Sequence, residues 1–257
     1  MKKAILLGCL LTALVTPFFA QPTDSIDLNN EMPQRRGFLD VAGGARFHFF
    51  DFDRMNHTLE QAGFPDAEPV VYGGFVAFRR QAPNSRWATE SSMEFLWSGS
   101  EPSRVNNSAV LYRDYSINLR LMYDISHEER LTKLFPFVGV GFALQHLRTY
   151  ENLPGGGSFV LAIANEVRKN KFSSTAIPLE AGFSLEQGFK TRVYDIYIGL
   201  RGGYMFRALP SDWALDGDIV VDLPQPAAGT PFAAISIRIQ ANPERIRAFS
   251  DKQIIQQ

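Results

Sequence analysis

Two pairs of carboxylates share strand faces: Glu90 with Glu94, and Glu180 with Glu186. Paired acids are the machinery of glycoside hydrolysis, in which the two groups stand roughly 5–10 Å apart. Along a strand, at ~3.4 Å per residue, spacings of four and six give about 13 and 20 Å. No catalytic pair is expected within either strand. The four histidines are His48, His57, His127 and His146, and none forms H-E-x-x-H or sets two ligands on one helical face. His48 and His146 fall on opposite strand parities, inward and outward, so they are not expected to share a metal. A lipid-facing Ser/His/acid hydrolase would need a serine beside His146. The outward neighbours on its own strand are Leu144 and Arg148, and no G-x-S-x-G occurs. Pro154-Gly155-Gly156-Gly157-Ser158 lacks the lysine of a phosphate-binding loop and reads as a loop tip. Catalytic, cofactor-binding and metal-binding residues are therefore expected to be none.

The charges have a different organisation. From Gly37 onward the chain alternates apolar and polar residues with period two, so successive side chains face opposite sides of a sheet. Eight such segments are read: 37–50, 69–79, 86–98, 108–123, 134–149, 175–187, 192–207 and 230–241. In the fourth, Tyr115, Ile117, Leu119, Leu121 and Tyr123 alternate with Asp114, Ser116, Asn118 and Arg120. Most segments are longer than the usual 5–6 residues of globular strands and exceed the ~9–11 that a tilted strand needs to cross a bilayer. Asp40, Glu90, Glu94, Asp114, Glu180, Glu186 and Asp195 take the polar parity, as do Arg46, Arg79, Arg120, Arg201, Arg207 and Arg238. Seven acids against six arginines is close to balance. A selective pore would line its wall with one sign, whereas balance predicts ion pairs bridging strands.

The apolar parity carries its aromatics near the strand ends, at two levels. Phe78, Trp87, Tyr123 and Tyr194 form the lower group, and Phe49, Tyr72, Trp97, Tyr204 and Phe206 the upper. Two aromatic girdles around an aliphatic band suit a barrel in a membrane, because amphipathic rings prefer the lipid–water interface. Links after strands two, four and six are short, near 80–85, 124–133 and 188–191, while the longer ones are chiefly 51–68, 150–174 and 208–229. Short periplasmic turns and long outer loops then put both termini in the periplasm. The expected fold is an all-β, eight-stranded antiparallel up-and-down transmembrane β-barrel over residues 37–241. Its interior should be a barrel-interior polar network of Arg46, Arg79, Glu90, Glu94, Asp114, Arg120, Glu180, Glu186, Asp195, Arg201 and Arg238.

The rest of the chain sets the address. Lys2 and Lys3 precede an apolar run from Ala4 to Val15 that closes at Pro17-Phe18-Phe19-Ala20, as in a secretory signal peptide spanning 1–20. Cleavage after Ala20 removes two lysines and no acid, leaving a net charge of about −3, and it removes Cys9, the only cysteine. Residues 21–36 then make a short periplasmic N-terminal segment, and 242–257 a periplasmic C-terminal tail with a possible short helix beginning at Asn242-Pro243. The whole chain has 257 residues, with Lys+Arg 26 against Asp+Glu 27, so no basic excess points to nucleic acid. With 45% hydrophobic residues and 21 Phe, it is not a disordered chain.

Two stretches, Leu134-Phe135-Pro136-Phe137-Val138-Gly139-Val140-Gly141-Phe142 and Leu200-Arg201-Gly202-Gly203-Tyr204-Met205-Phe206, resemble the small eight-stranded outer-membrane barrels. This is the broad porin-like group that includes OmpA and OmpX. Met55 to Pro65, followed by Tyr72-Gly73-Gly74, resembles a subset with a short helix between the first two strands. Many such barrels end on an aromatic residue that assembly machinery reads, whereas this chain continues from Ala241 to Gln257. The resemblance implies a bacterial outer-membrane location, with outer-membrane lipid, the barrel-assembly machinery and an unknown extracellular or envelope partner as partners. The function expected is non-enzymatic: envelope structure or surface interaction and adhesion through the long loops, where Trp213, Ile219, Val220 and Val221 are candidate contacts. The alternatives are a lipid-modifying barrel enzyme and a soluble periplasmic lipocalin-like barrel.

Overall fold

The computed structural model describes residues 38–81, 85–100, 108–126, 131–151, 169–191, 194–215, 218–220 and 222–241. The expected signal peptide, N-terminal segment and C-terminal tail lie outside the described residues, as does His127.

Eight long strands close into an antiparallel barrel. They are β1 (Phe38–Phe49), β2 (Val70–Gln81), β3 (Trp87–Gly99), β4 (Ala109–Tyr123), β5 (Thr132–Tyr150), β6 (Lys169–Lys190), β7 (Tyr194–Ala208) and, after a short hairpin, β10 (Gly229–Ala241). The hairpin, β8 (Trp213–Leu215) and β9 (Asp218–Val220), belongs to the loop before β10. Each long strand pairs with its sequence neighbour, and β1 closes the ring on β10 from Asp40↔Gln240 to His48↔Phe232. Closure leaves no edge whose backbone groups lipid would have to satisfy. The eight-stranded barrel expected from the alternation is therefore the fold.

The strands stand within a few residues of the segments read from the sequence. The largest difference is at β6, which begins at Lys169 rather than 175. Lys169–Ser174 is largely polar and carries no apolar alternation, yet it pairs residue for residue with β5 from Tyr150 down to Gln145. Cross-strand hydrogen bonding extends the ladder there, and Phe172 is the one apolar residue on its inward face.

Alternation sorts the side chains. In β3 the residues from Ala88 to Ser98 are alternately buried and partly or fully exposed, with Glu90 and Glu94 inside and Met93, Phe95 and Trp97 outside. Among the described residues 30 large hydrophobic residues are exposed, and 26 of them lie on these eight strands. Near half exposure each forfeits roughly 1 kcal/mol of burial free energy in water, on the order of 25 kcal/mol together. That exceeds the ~5–15 kcal/mol by which a folded domain is stable. The surface needs an apolar solvent, so the barrel is a transmembrane one. A soluble lipocalin-like barrel would be the reverse, apolar inside and polar outside.

One mouth of the barrel is covered. Between β1 and β2 lies a helix, α1 (Asp53–Gln61), in the stretch where a short helix was expected. Met55 and Leu59, four apart, bury one face. Gly63, at φ 82°, ends the helix, its N–H bonding to Glu60 O at 2.9 Å. Asn56 ties the returning chain down through both amide atoms, to Ala67 O at 3.2 Å and Ala67 N at 2.9 Å. Met55 and Leu59 join Phe52, Val71, Tyr112, Leu147 and Trp213 in one apolar cluster, with Phe172, Val220 and Leu223 against it.

Candidate functional site

The interior below that cluster holds buried ion pairs. The strand alternation turns Asp40 and Arg46 of β1, Arg79 of β2, Glu90 and Glu94 of β3, Asp114 and Arg120 of β4, Glu180 and Glu186 of β6, Arg201 and Arg207 of β7 and Arg238 of β10 inward. All twelve are buried. Asp195, near the turn end of β7 opposite Lys190 and Gln240, is half-buried.

Arg120 is the hub. Its guanidinium reaches Glu90 at 3.1 Å and Glu94 at 2.5 Å, and its Nε donates to Glu180. Arg46 bridges Glu94 at 2.5 Å and Glu180 at 2.7 Å. Glu90 is shared further with Arg79 at 2.9 Å and Arg201 at 2.7 Å. Arg79 continues to Glu186 at 2.7 Å, and Arg238 joins Glu186 at 2.5 Å to Asp40. Nearer the covered mouth, Arg207 pairs with Asp114 at 2.6 Å. The paired carboxylates singled out at the start thus meet arginines rather than each other.

Space and rings complete the arrangement. β5 supplies no charge to the chain of pairs; it supplies Gly139. A Cβ there would stand 2.9 Å from Glu180 Cγ and 3.1 Å from Arg120 Cγ. Aromatic faces cover several guanidinium groups: Phe232 lies 4.0 Å from Arg46, Phe50 3.9 Å from Arg207 and Tyr197 4.0 Å from Arg238. Such stacking suits the weakly hydrated, planar guanidinium better than an ammonium. Burying twelve charges is costly and is offset only because each has an oppositely charged partner at close range, several of them shared between two or three groups.

His48 is buried, accepts from Arg46 Nε at 2.7 Å and stacks between Phe50 and Phe232. His57 is exposed on α1 beside Gln61. Among the described residues no group of three His, Cys, Asp or Glu could hold a metal. His146 points outward and its ring lies 5.9 Å from that of Tyr115. Its neighbour in the ladder is Ser173 of β6, which the same-strand reading of Leu144 and Arg148 missed. No carboxylate among the described residues bonds to His146, whose Nδ1 has no partner, and Ser173 Oγ faces Ala214 O at 3.5 Å.

The outward aromatics pair across strands. Trp87 and Tyr123 lie 4.8 Å apart near the turn end, and Tyr72 and Trp97 5.6 Å apart toward the long loops. Phe49, Phe78, Tyr194, Tyr204 and Phe206 are exposed on the same outer surface. Trp213 corrects an expectation. It was read as a loop contact point, but it is fully buried, and its Nε1 donates to Pro224 O at 3.3 Å. A short β-hairpin folds it over the barrel mouth, so of the candidate contacts only Ile219 is strongly exposed; Val221 lies outside the described residues.

No family model and no curated protein matches the chain. Among solved structures it is similar to Ail, the attachment invasion locus protein of Yersinia pestis, solved in complex with the heparin analogue sucrose octasulfate. The identity is 14% and the TM-score 0.41, over 79% of this chain and 99% of that one. A major outer membrane protein from Thermus thermophilus is 12% identical at a TM-score of 0.48, over 79% and 99% of the two chains. Neisserial surface protein A is 12% identical at 0.31, over 80% and 95%. These likenesses are distant, and the closed ladder of paired strands is what establishes the eight-stranded barrel.

Proposed function

We propose that the chain is a non-enzymatic bacterial outer-membrane barrel, closed along its axis by its ion pairs, that acts in envelope structure or surface interaction through its long loops. The observation that supports closure is Arg120, which ties β4 to β3 and β6 through three buried carboxylates. An eight-stranded barrel has an interior just wide enough for side chains to occupy. The apolar cover built from α1 and the β8–β9 hairpin supports the same reading, since it leaves the ion pairs shut off at the long-loop end. The long-loop end faces the outside of the cell and the short turns face the periplasm. Lipid contacts the outward face, the assembly machinery inserts the barrel, and an extracellular or envelope partner meets the loops.

The test joins two measurements. Outer-membrane fractions washed with urea should retain the protein, and it should migrate differently on gels before and after boiling. Purified protein in planar bilayers should then give no single-channel steps. Regular steps would overturn closure. Release by urea would overturn membrane insertion.

A second reading has one observation in its favour: His146 and Ser173 are ladder neighbours on the outward face. A barrel hydrolase acting on lipid esters would use such a pair. It would release fatty acid from mixed micelles in a manner abolished by Ser173→Ala.

A further inference from the structure

Near the long-loop end, the outward face of β3–β6 carries positive charge that pairs with no acid among the described residues. One row of the ladder reads Trp97, Arg113, His146, Ser173, and the next toward the loops reads Leu111, Arg148, Lys171. The rows on either side hold Phe95, Tyr115, Leu144 and Thr175 below, and Ala109, Tyr150 and Lys169 above. No acid occupies any of these positions; Glu151 follows only where β5 has ended. Arg113, Arg148 and Lys171 make no ion pair with a described residue. Arg148 Nε and His146 Nδ1 are shielded from water yet have no hydrogen-bond partner. This contrasts with the interior, where every one of the buried arginines has a carboxylate.

Beside Arg113 a cleft of about 380 Å³ opens on the same face, lined by Phe95, Leu96, Trp97, Leu111, Arg113 and Tyr115. An apolar floor with cations at its loop-side rim is amphipathic. It also lies level with the Tyr72–Trp97 ring pair, where a barrel meets the boundary between hydrocarbon and headgroups.

We propose that this face binds a phosphate-bearing lipid of the outer leaflet. The phosphate is held by Arg113, Arg148 and Lys171, and an acyl chain lies in the cleft against Phe95, Leu111 and Tyr115. Guanidinium groups recognise phosphate through paired N–H donors, and cations at the headgroup level attract anionic lipid. The site takes a lipid rather than a soluble anion because the cations open onto an apolar cleft rather than onto a polar pocket. The assignment rests on the orientation proposed above, in which the long-loop end faces outward.

The experiment uses the full chain, purified in a phosphate-free maltoside detergent and shown to be folded by its heat-dependent gel shift. Diphosphorylated lipid A is the probe, and retained lipid is read by native mass spectrometry. Wild-type protein should retain it, and should retain the dephosphorylated form at least ten-fold less. The triple variant Arg113→Ala, Arg148→Ala, Lys171→Ala should lose at least ten-fold, while the charge-matched Arg54→Ala, Arg86→Ala, Lys190→Ala should not. Equal retention of phosphorylated and dephosphorylated probe would overturn the proposal, as would full retention by the first triple variant. Displacement of the lipid by millimolar inorganic phosphate would mark a site for the free anion and overturn the lipid assignment. Should the triple variant not fold, the two lipid probes on wild-type protein decide. A folded barrel that binds neither probe refutes this site and leaves the barrel reading intact.

Discussion

Arg120 and Glu180 are joined across an intervening strand: β4 carries the arginine, β6 the glutamate, and β5 passes between them with Gly139 at the crossing. In the ladder Arg120 and Glu180 are both direct partners of Gly139. The absence of a side chain on the middle strand is what lets the outer two meet. Gly139→Val should therefore force the pair apart or bend the strand. Overpacking of this kind costs about 1–3 kcal/mol. Urea unfolding of the barrel in vesicles should show the midpoint fall, with little change in slope. An unchanged midpoint would mean that the pair adjusts freely around a larger residue.

Removing the hub itself should cost more. Arg120→Met keeps the length of the side chain but leaves Glu90, Glu94 and Glu180 with one fewer partner each. Breaking one side of a buried pair costs about 3–5 kcal/mol, because a charge is left without compensation. Glu180→Gln in the same background should give back part of the loss, so the double variant is more stable than the sum of the two singles predicts. Strict additivity in that cycle would show that the two groups do not interact in the folded barrel.

The apolar cover gives a local prediction. Trp213→Ala removes the largest buried side chain of the mouth. Truncating a buried aromatic typically costs about 3–5 kcal/mol, but here the loss should fall on the cover rather than on the strand ladders. Protease added from outside should cut within 209–228 markedly faster than in wild type, while the heat-dependent gel shift persists. Cleavage at the wild-type rate would mean that the hairpin is held by other contacts.

The parts of this molecule that were legible in the sequence are the ones written in a local period. Tyr115 to Arg120 already state which residues face lipid and which face inward, because neighbours on one strand must alternate. The partners of those inward residues were not legible. Arg46 and Glu180 are 134 positions apart, and what brings them together is the closure and stagger of the barrel. His146 and Ser173 became neighbours in the same way, through β5–β6 register that no spacing along the chain expresses. Trp213 misled for a different reason. A tryptophan in a long connection between strands looks exposed unless the loop is known to fold back over an apolar mouth. The stretch from Met55 to Pro65 suggested a short helix between the first two strands, but it does not say what that helix covers.

Leu200 tests the solvent of the outer face. It is exposed in the middle of β7 and is flanked in the ladder by Leu185 and Ile235, both exposed as well. In water, replacing an exposed leucine by arginine would be harmless or favourable. At the centre of a bilayer the same change costs about 2–4 kcal/mol on the lipid face of a barrel. Leu200→Arg should therefore lower the stability of the barrel in phospholipid vesicles by that amount and slow its insertion. The adjacent Arg201, which points inward to Glu90 at 2.7 Å, shows how sharply the two faces differ, since there the charge is part of the structure. Stability in vesicles unaffected by Leu200→Arg would mean that this face is wetted, and the membrane-spanning reading of β7 would have to be withdrawn.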